Sequence, residues 1–442
     1  MRRLFLLFAV LMGSALVAHA DLRIEVTKGV DNAVRVAVVP FAIKGRSVPE
    51  TNIRDVVEGD LTLSGRFETL PVGQMLSLPR SGEDVFQRDW QALKVEYLIM
   101  GNVTLAEDPL SAGAVAVTFE LYNVFKGATE ATQTISGSRE EMRDLAHHIS
   151  DVVFEQITGI RGVFATQILY VTAAGPVENR RYRLNIADAD GYRVETMLES
   201  SEPIMSGTWS PAGDEIAYVS FEDEGRPGIY VLDVERRVSR RVAQFEGING
   251  APAFSPDGTR LAMVLSRGDN PDIYILNLET NRLRQVTRHY LTDTEPSWTS
   301  DGQHIVFTSD RGGKPQIYKV ALDDLSLERL TFEGDYNARA SMLPGGESIV
   351  MVHRRNEVFH IALLDLIRGR LMVLTETELD ESPSVAPNGS MLIYATQERA
   401  GGQGILAAVS IDGGVKFRLP SSEGDVREPA WSPVKRKTFV PR

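Results

Sequence analysis

Trp209-Ser210-Pro211-Ala212-Gly213, Phe254-Ser255-Pro256-Asp257-Gly258 and Trp298-Thr299-Ser300-Asp301-Gly302 are three copies of one phrase, an aromatic anchor followed by a turn. Met342-Leu343-Pro344-Gly345-Gly346 and Val385-Ala386-Pro387-Asn388-Gly389 are weaker copies, and Trp431-Ser432-Pro433 is a truncated sixth. The anchors lie 45, 44, 44, 43 and 46 residues apart. A period of this length with strand-like content is the signature of a β-propeller.

Each copy reads as a strand and a turn. Pro presets φ, Asp or Asn bonds its own backbone, and Gly takes positive φ. A β-rich run follows, as in Ile216-Ala217-Tyr218-Val219, Leu261-Ala262-Met263-Val264 or Ile305-Val306-Phe307-Thr308. After a polar loop comes a third strand, Ile229-Tyr230-Val231, Ile273-Tyr274-Ile275 or Ile317-Tyr318-Lys319. A fourth ends near Val286-Thr287, Leu330-Thr331 or Leu374-Thr375. Four short strands per repeat make one blade. Ile168-Leu169-Tyr170-Val171-Thr172 resembles a second strand without an anchor strand, whereas Trp431 ends an anchor strand without a second. The two fragments complete one another. The expectation is a six-bladed propeller over residues 163–433, closed by pairing N- and C-terminal strands in one blade, which limits exposed sheet edges.

The first 20 residues carry Arg2 and Arg3, an apolar run and Ala18-His19-Ala20. That pattern is an export signal cleaved after Ala20, too short for a permanent membrane span. Its removal takes the formal net charge from −13 to −15, which opposes nucleic acid and anionic lipid. The chain has no cysteine, so disulfides, thiolate metal sites and thiol catalysis are excluded. Residues 21–160 lack the repeat and mix strands with helices. Residues 34–41 read as a buried strand, and 97–103 and 114–124 as further strands. Ile53, Val56, Val57 and Leu61 have helical spacing, as do Met142, Leu145, Ala146, Ile149, Val152, Val153 and Ile157 ahead of Gly159. The expectation is a two-domain chain, an N-terminal α/β domain followed by the propeller, with a hinge at Thr158-Gly159-Ile160-Arg161-Gly162 and a basic tail over 434–442.

Several phrases together carry a resemblance. They are Asn249-Gly250-Ala251-Pro252-Ala253-Phe254, Asp293-Thr294-Glu295-Pro296 with Trp298, Asp380-Glu381-Ser382-Pro383-Ser384, and Glu428-Pro429-Ala430-Trp431-Ser432-Pro433. In this order, behind an export signal and an α/β domain, they resemble the TolB family, periplasmic components of the Tol-Pal cell-envelope system. The resemblance covers essentially all of the chain after residue 20. It implies a periplasmic, monomeric, non-catalytic interaction protein supporting outer-membrane integrity and envelope constriction at cell division. It implies two partners: the outer-membrane lipoprotein Pal at one propeller mouth, and the C-terminal domain of TolA at the mature N-terminal segment, 21–31. That segment docks back or is released, so occupancy at one end biases the other only through differential contacts in two states.

Loops just before each anchor strand converge on one mouth of a radial repeat, and loops on a rigid scaffold commonly carry recognition. The candidate Pal-binding residues are Asn249, Gly250, Ala251, Thr294, Glu295, Asn337, Arg339, Glu381 and Glu428. The plainer alternative is that Asp, Glu and Pro recur there only to enter a strand. Ile248 stands where relatives often have histidine. The candidate TolA-binding residues are Asp21, Leu22, Arg23, Ile24, Glu25 and Val26, which alternate like an edge strand suited to strand addition.

Other features read as structural. Asp188-Ala189-Asp190-Gly191 lacks the remaining ligands of a calcium loop and reads as a hairpin turn. No histidine has metal-ligand spacing, no G-x-S-x-G elbow occurs, and no Walker or Rossmann signature occurs. No cofactor is expected. The competing function is a propeller enzyme of polysaccharide-lyase or peptidase-associated type. It would need clustered catalytic residues facing the channel, or a hydrolase domain.

Overall fold

The computed structural model describes residues 24–25, 33–45, 50–106, 113–268, 270–377, 379–397, 399, 401–419 and 424–434. The expected export signal, most of the N-terminal segment and all but Val434 of the basic tail lie outside these residues.

The N-terminal region is a mixed sheet with helices on both faces. Its strands run in the order Phe67–Thr69, Val34–Val38, Tyr97–Leu105, Ala114–Asn123, Ala128–Ser138, with Ala42–Lys44 also pairing to Tyr97–Leu105. Helix α1 (Ile53–Leu63) starts where Asn52 Oδ1 accepts the Arg54 N–H at 3.1 Å, satisfying one of the donors a helix start leaves free. The apolar stripe read in the sequence faces inward: Ile53, Val57 and Leu61 are buried. Helix α2 (Gln87–Ala92) carries fully buried Trp90 onto the opposite face, beside Val39, Leu98 and Met100. Helix α3 (Met142–Thr158) lies with α1, burying Leu145, Ile149 and Val153. Gly159 ends it in the left-handed conformation, φ 73°, which glycine adopts without a Cβ penalty. Each fully buried leucine in this layer contributes ~2 kcal/mol of apolar burial.

From Gln167 onward the regular elements among the described residues are strands, apart from one short turn of helix at Val177–Asn179, in antiparallel units of propeller type. Three four-stranded sheets begin at Ile204, Asn249 and Asp293. A nine-stranded sheet joins the units beginning at Asn337 and Leu379 through one parallel pairing, Phe359 with Leu379. Its outer edge is Lys416–Arg418, where Ile24–Glu25 adds antiparallel, Ile24 opposite Phe417. Another four-stranded sheet is assembled from both halves of the chain: Asp425–Trp431 pairs with Gln167–Ala174, Trp431 opposite Ile168.

The repeated phrase does two jobs. Its glycine closes the turn, as where Gly258 (φ 74°) donates to Ser255 O at 2.8 Å. Its tryptophan ties neighbouring units. Trp209 Nε1 donates to Ala430 O at 3.2 Å, and Trp298 Nε1 to Ala253 O at 2.9 Å. Each such bond is worth ~1 kcal/mol net, beyond the area the indole buries.

The two regions meet across a buried ionic joint. His147 on α3 shares its Nδ1 proton with Asp60 Oδ2 on α1 at 2.8 Å, and Ser150 Oγ donates to the same oxygen at 2.6 Å. The His147 Nε2 faces Asp188 Oδ2 at 3.6 Å and Asp190 Oδ2 at 4.0 Å, on the hairpin turn after Arg181–Asp188. Arg143 bonds both aspartates, and Arg193 bonds Asp188 and Asp144. Burial opposes charge on His147, but the facing carboxylates overcome it and raise its pKa to about 10. His147 is therefore an imidazolium between two domains. Asp188 is held below the usual carboxylate range: burial is outweighed by His147 and Arg193.

The connection itself is stitched down. Asp151 accepts from Phe164 N at 2.7 Å and Ala165 N at 3.3 Å. Gly162 lies so close to α3 that a Cβ would sit 2.4 Å from the Asp151 Cα. Burial raises the Asp151 pKa to about 7, against the pull of those two N–H donors. A cavity of about 40 Å³ beside the joint is lined by Leu63, Phe154, Val163, Met391, Phe417 and Trp431 among others.

Both titrations push stability the same way. The raised His147 value favours the fold below pH ~6.5 and is lost as pH rises through 10. The raised Asp151 value means the folded chain holds a proton that the unfolded chain releases near pH 4, so stability falls between pH 4 and 7. Burial lowers the pKa values of His148 and His353, which act the other way below pH ~6.5, so melting temperatures should fall most clearly from pH 7 to 10. Asp151→Asn should flatten the profile below pH 7, and His147→Gln the profile above it. Profiles unchanged by both variants would contradict the joint as described.

Candidate partner-binding site

Six strands line one central cavity of about 190 Å³: Ile204–Trp209, Asn249–Phe254, Asp293–Trp298, Asn337–Met342, Leu379–Val385 and Asp425–Trp431. Each carries the same irregularity. Thr294 pairs with Thr308 and Ser297 with Val306, so Glu295 and Pro296 together oppose Phe307 alone. The register shifts likewise at Ser206-Gly207, Ala251-Pro252, Arg339-Ala340, Ser382-Pro383 and Glu428-Pro429. These are β-bulges, two residues against one. The second bulge residue is proline in four cases, which a sheet tolerates at a bulge.

The first bulge residue is left-handed every time. Ser206, Ala251, Glu295, Arg339, Ser382 and Glu428 have φ of 55°, 45°, 52°, 53°, 55° and 50°. None is glycine, so each costs ~1 kcal/mol of backbone strain. Repeated in six strands, the bulge sets six side chains around one cavity.

Three of the six are charged and bond one another. Arg339 Nε donates to Glu295 Oε1 at 2.8 Å, Nη2 to Glu428 Oε1 at 3.2 Å and Nη1 to Ser382 Oγ. Glu295 Oε2 also accepts from Arg339 N and from Thr308 Oγ1, each at 2.9 Å. Glu428 Oε2 accepts from Ser206 N. Burial opposes the Arg339 charge, yet Glu428 and Glu295 outweigh it and hold the guanidinium above its ordinary range. Ala251 alone in the ring has no polar side-chain atom.

Two residues before the ring lies a set of buried clamps. Asn249 accepts from Phe245 N at 2.8 Å and donates back to Phe245 O at 2.7 Å. Asn337 bonds Gln316, Glu333 O and His353. Asp293 takes both its hydrogen bonds from Arg311 Nη2, and Asp380 accepts from Thr396 at 2.7 Å. Asn249 and Asn337 are 2% and 0% exposed, so their side chains hold the loops rather than face outward. Gly250, Ala251, Thr294, Glu295, Arg339, Glu381 and Glu428 are half-buried. Of these, Ala251, Glu295, Arg339 and Glu428 line the cavity itself.

Ile248 is 49% exposed, and its N–H donates to Ser266 Oγ at 2.7 Å. A separate pocket of about 890 Å³ is lined by Arg267, Asp272, Tyr274, Arg288 and Tyr290 among others. Of the N-terminal segment only Ile24 and Glu25 fall among the described residues, paired to the Lys416–Arg418 edge. Asp21, Leu22, Arg23 and Val26 lie outside them.

Among the described residues, Asp60, His147 and Asp190 also group their ligand atoms within 4.8 Å. Nδ1 of that histidine is committed to Asp60, and Arg143 already bonds Asp190. The arrangement suits an ion-pair joint better than a metal centre.

The strain in the ring is measurable. Ala251→Gly should raise unfolding free energy by about 1 kcal/mol, because glycine takes φ 45° without the Cβ penalty. Ala251→Val should lower it. Urea denaturation that reverses this order would contradict a left-handed Ala251.

Comparison with known proteins points one way along the whole chain. Residues 22–129 match the family model described as the TolB amino-terminal domain, and residues 154–435 the TolB beta propeller domain. The Tol-Pal system protein TolB of Alcanivorax borkumensis is 54% identical over 416 residues, covering 94% of each chain. That of Pseudomonas aeruginosa is 49% identical over 430 residues, covering 97% of this chain and 98% of the other. The crystal structure of TolB from Acinetobacter baumannii superposes with a TM-score of 0.84 at 38% identity, covering 93% of this chain and all of that one. The chain belongs to the TolB family of the Tol-Pal system.

Proposed function

We propose that this chain is a non-catalytic periplasmic adaptor of the Tol-Pal system. It binds a Pal-like outer-membrane lipoprotein at the propeller mouth and the C-terminal domain of TolA through residues 21–31. In this reading residues 1–20 are an export signal and 21–160 form the α/β domain. Residues 163–433 make a six-bladed propeller, closed where Asp425–Trp431 joins Gln167–Ala174, and 434–442 form a basic tail. The role is support of outer-membrane integrity and of envelope constriction at division. Among the described residues, no helix is long and apolar enough to cross a membrane.

The observation that carries the reading is the ring. Ala251, Glu295, Arg339 and Glu428 are candidate partner residues from four separate loops, and all four line one cavity. Gly250, Thr294 and Glu381 directly precede ring residues and are half-buried. Asn249 and Asn337 serve by clamping the loops behind it. What supports the second site is the pairing of Ile24–Glu25 with Lys416–Arg418. A strand added at a sheet edge gains backbone hydrogen bonds but little apolar burial, so it can be exchanged for another edge. Release of this strand and capture by TolA then become alternative states of one segment.

Glu295→Lys places a like charge beside Arg339, and Ala251→Arg fills the one small ring position. Each should weaken binding of the soluble Pal-like domain at least tenfold by calorimetry, about 1.4 kcal/mol. Unchanged affinity in both variants would move the site elsewhere. Deleting residues 21–31 should abolish capture of the TolA C-terminal domain in a pull-down while leaving the thermal transition in place. Retained capture would contradict the N-terminal assignment.

A further inference from the structure

Arg339 differs from the other proposed contacts in what it already holds. Its side chain is 30% exposed, with Glu295 at 24% and Glu428 at 20%. One guanidinium bonds groups on three other strands: Glu295 on Asp293–Trp298, Ser382 on Leu379–Val385 and Glu428 on Asp425–Trp431. Its own N–H joins the Glu295 carboxylate. Glu428 passes the connection to the Ser206 N–H on a fifth strand. Of the six ring positions only Ala251 lies outside this network.

The planar fork makes this possible. Guanidinium offers five N–H donors in fixed directions, whereas an ammonium group is a single point charge. Without the guanidinium, Glu295 would keep only Thr308 Oγ1 and the residue-339 backbone N–H, and Glu428 only the Ser206 N–H. The two carboxylates would repel with no cation between them, which loosens both.

We infer that Arg339 is a positioning residue, which ties Glu295, Ser382 and Glu428 across the cavity and presents the partner with one preset arrangement of carboxylates. The inference rests on the mouth being the partner site. It assigns Arg339 a different role from the other candidates: it acts through Glu295 and Glu428 rather than by touching the partner. Preorganisation of this kind improves affinity by removing ordering costs at binding.

Two measurements on the intact mature chain test it. The first is calorimetry with the soluble Pal-like domain. Arg339→Gln should weaken binding about tenfold in the native background. In a Glu295→Gln, Glu428→Gln background it should change affinity less than about twofold, because nothing remains to be positioned. Equal losses in both backgrounds would make Arg339 a direct contact and overturn the inference. The second needs no partner. Arg339→Gln should speed hydrogen exchange of the Ser206 amide about tenfold or more, since that amide donates to Glu428. Backbone amides of Arg260–Leu265, in a sheet interior, should keep their protection as the control for folding. An unchanged Ser206 rate would overturn the inference even if Pal binds. Failure of the native chain to bind Pal, with Ser206 exchange altered as expected, would overturn the partner reading instead.

Discussion

The two-against-one bulge in each strand lining the central cavity is the constraint on which the rest of the propeller region depends. A regular strand sends successive side chains to opposite faces. A bulge with a left-handed first residue breaks that alternation, and its first residue lines the cavity in every one of the six strands. The strain is ~1 kcal/mol at each position. It is offset by the buried apolar faces of the sheets and, at Trp209 and Trp298, by indole bonds to neighbouring units. Strain held by a rigid surround at a shared cavity is the usual mark of a functional surface.

The ionic joint serves a different purpose. Apolar packing between the regions runs through Leu63, Val163, Val415 and Phe417 and is non-directional. The lattice of His147, Asp60, Asp188, Asp190, Arg143 and Arg193 adds direction, because its ion pairs and hydrogen bonds hold only at particular distances and angles. A buried pair broken on one side leaves an uncompensated charge and costs several kcal/mol. The joint therefore favours one relative orientation of the regions. Residues 162–165, clamped by Asp151, carry that orientation into the strand Gln167–Ala174, which pairs with the ring-bearing strand Asp425–Trp431. The α/β region is thus joined to one ring-bearing strand by a short clamped connection and one strand pairing.

Much of this was legible in the sequence, for identifiable reasons. The aromatic anchors, the Pro-Asp-Gly turns and their spacing are local signals, and local signals survive in one dimension. So do the helical stripes of α1 and α3 and the glycine that ends α3. The short helix α2 was not legible, because six residues around Trp90 carry too little periodicity. The left-handed ring was not legible either: its members are Ser, Ala, Glu, Arg, Ser and Glu, with no common chemistry. The proline that follows four of them is the one signal that could have revealed it. The sequence says of His147 only that it lacks metal-ligand spacing, which leaves a solvated or a structural role. Its partner Asp188 sits in a turn in the other domain, and no spacing rule connects the two. Asn249 and Asn337 drew attention as polar loop residues, but the loops turn them inward to hold their own backbone.

The central claim is that a partner lipoprotein sits on the ring. Hydrogen exchange of the intact mature chain, with and without the soluble Pal-like domain, tests it most directly. The account expects new protection at residues 248–251, 293–295, 337–340, 380–382 and 427–428, with the outer strands of the same units unchanged. Protection confined to the α/β region or to the outer edges of the sheets, with those five segments exchanging as before, would contradict it.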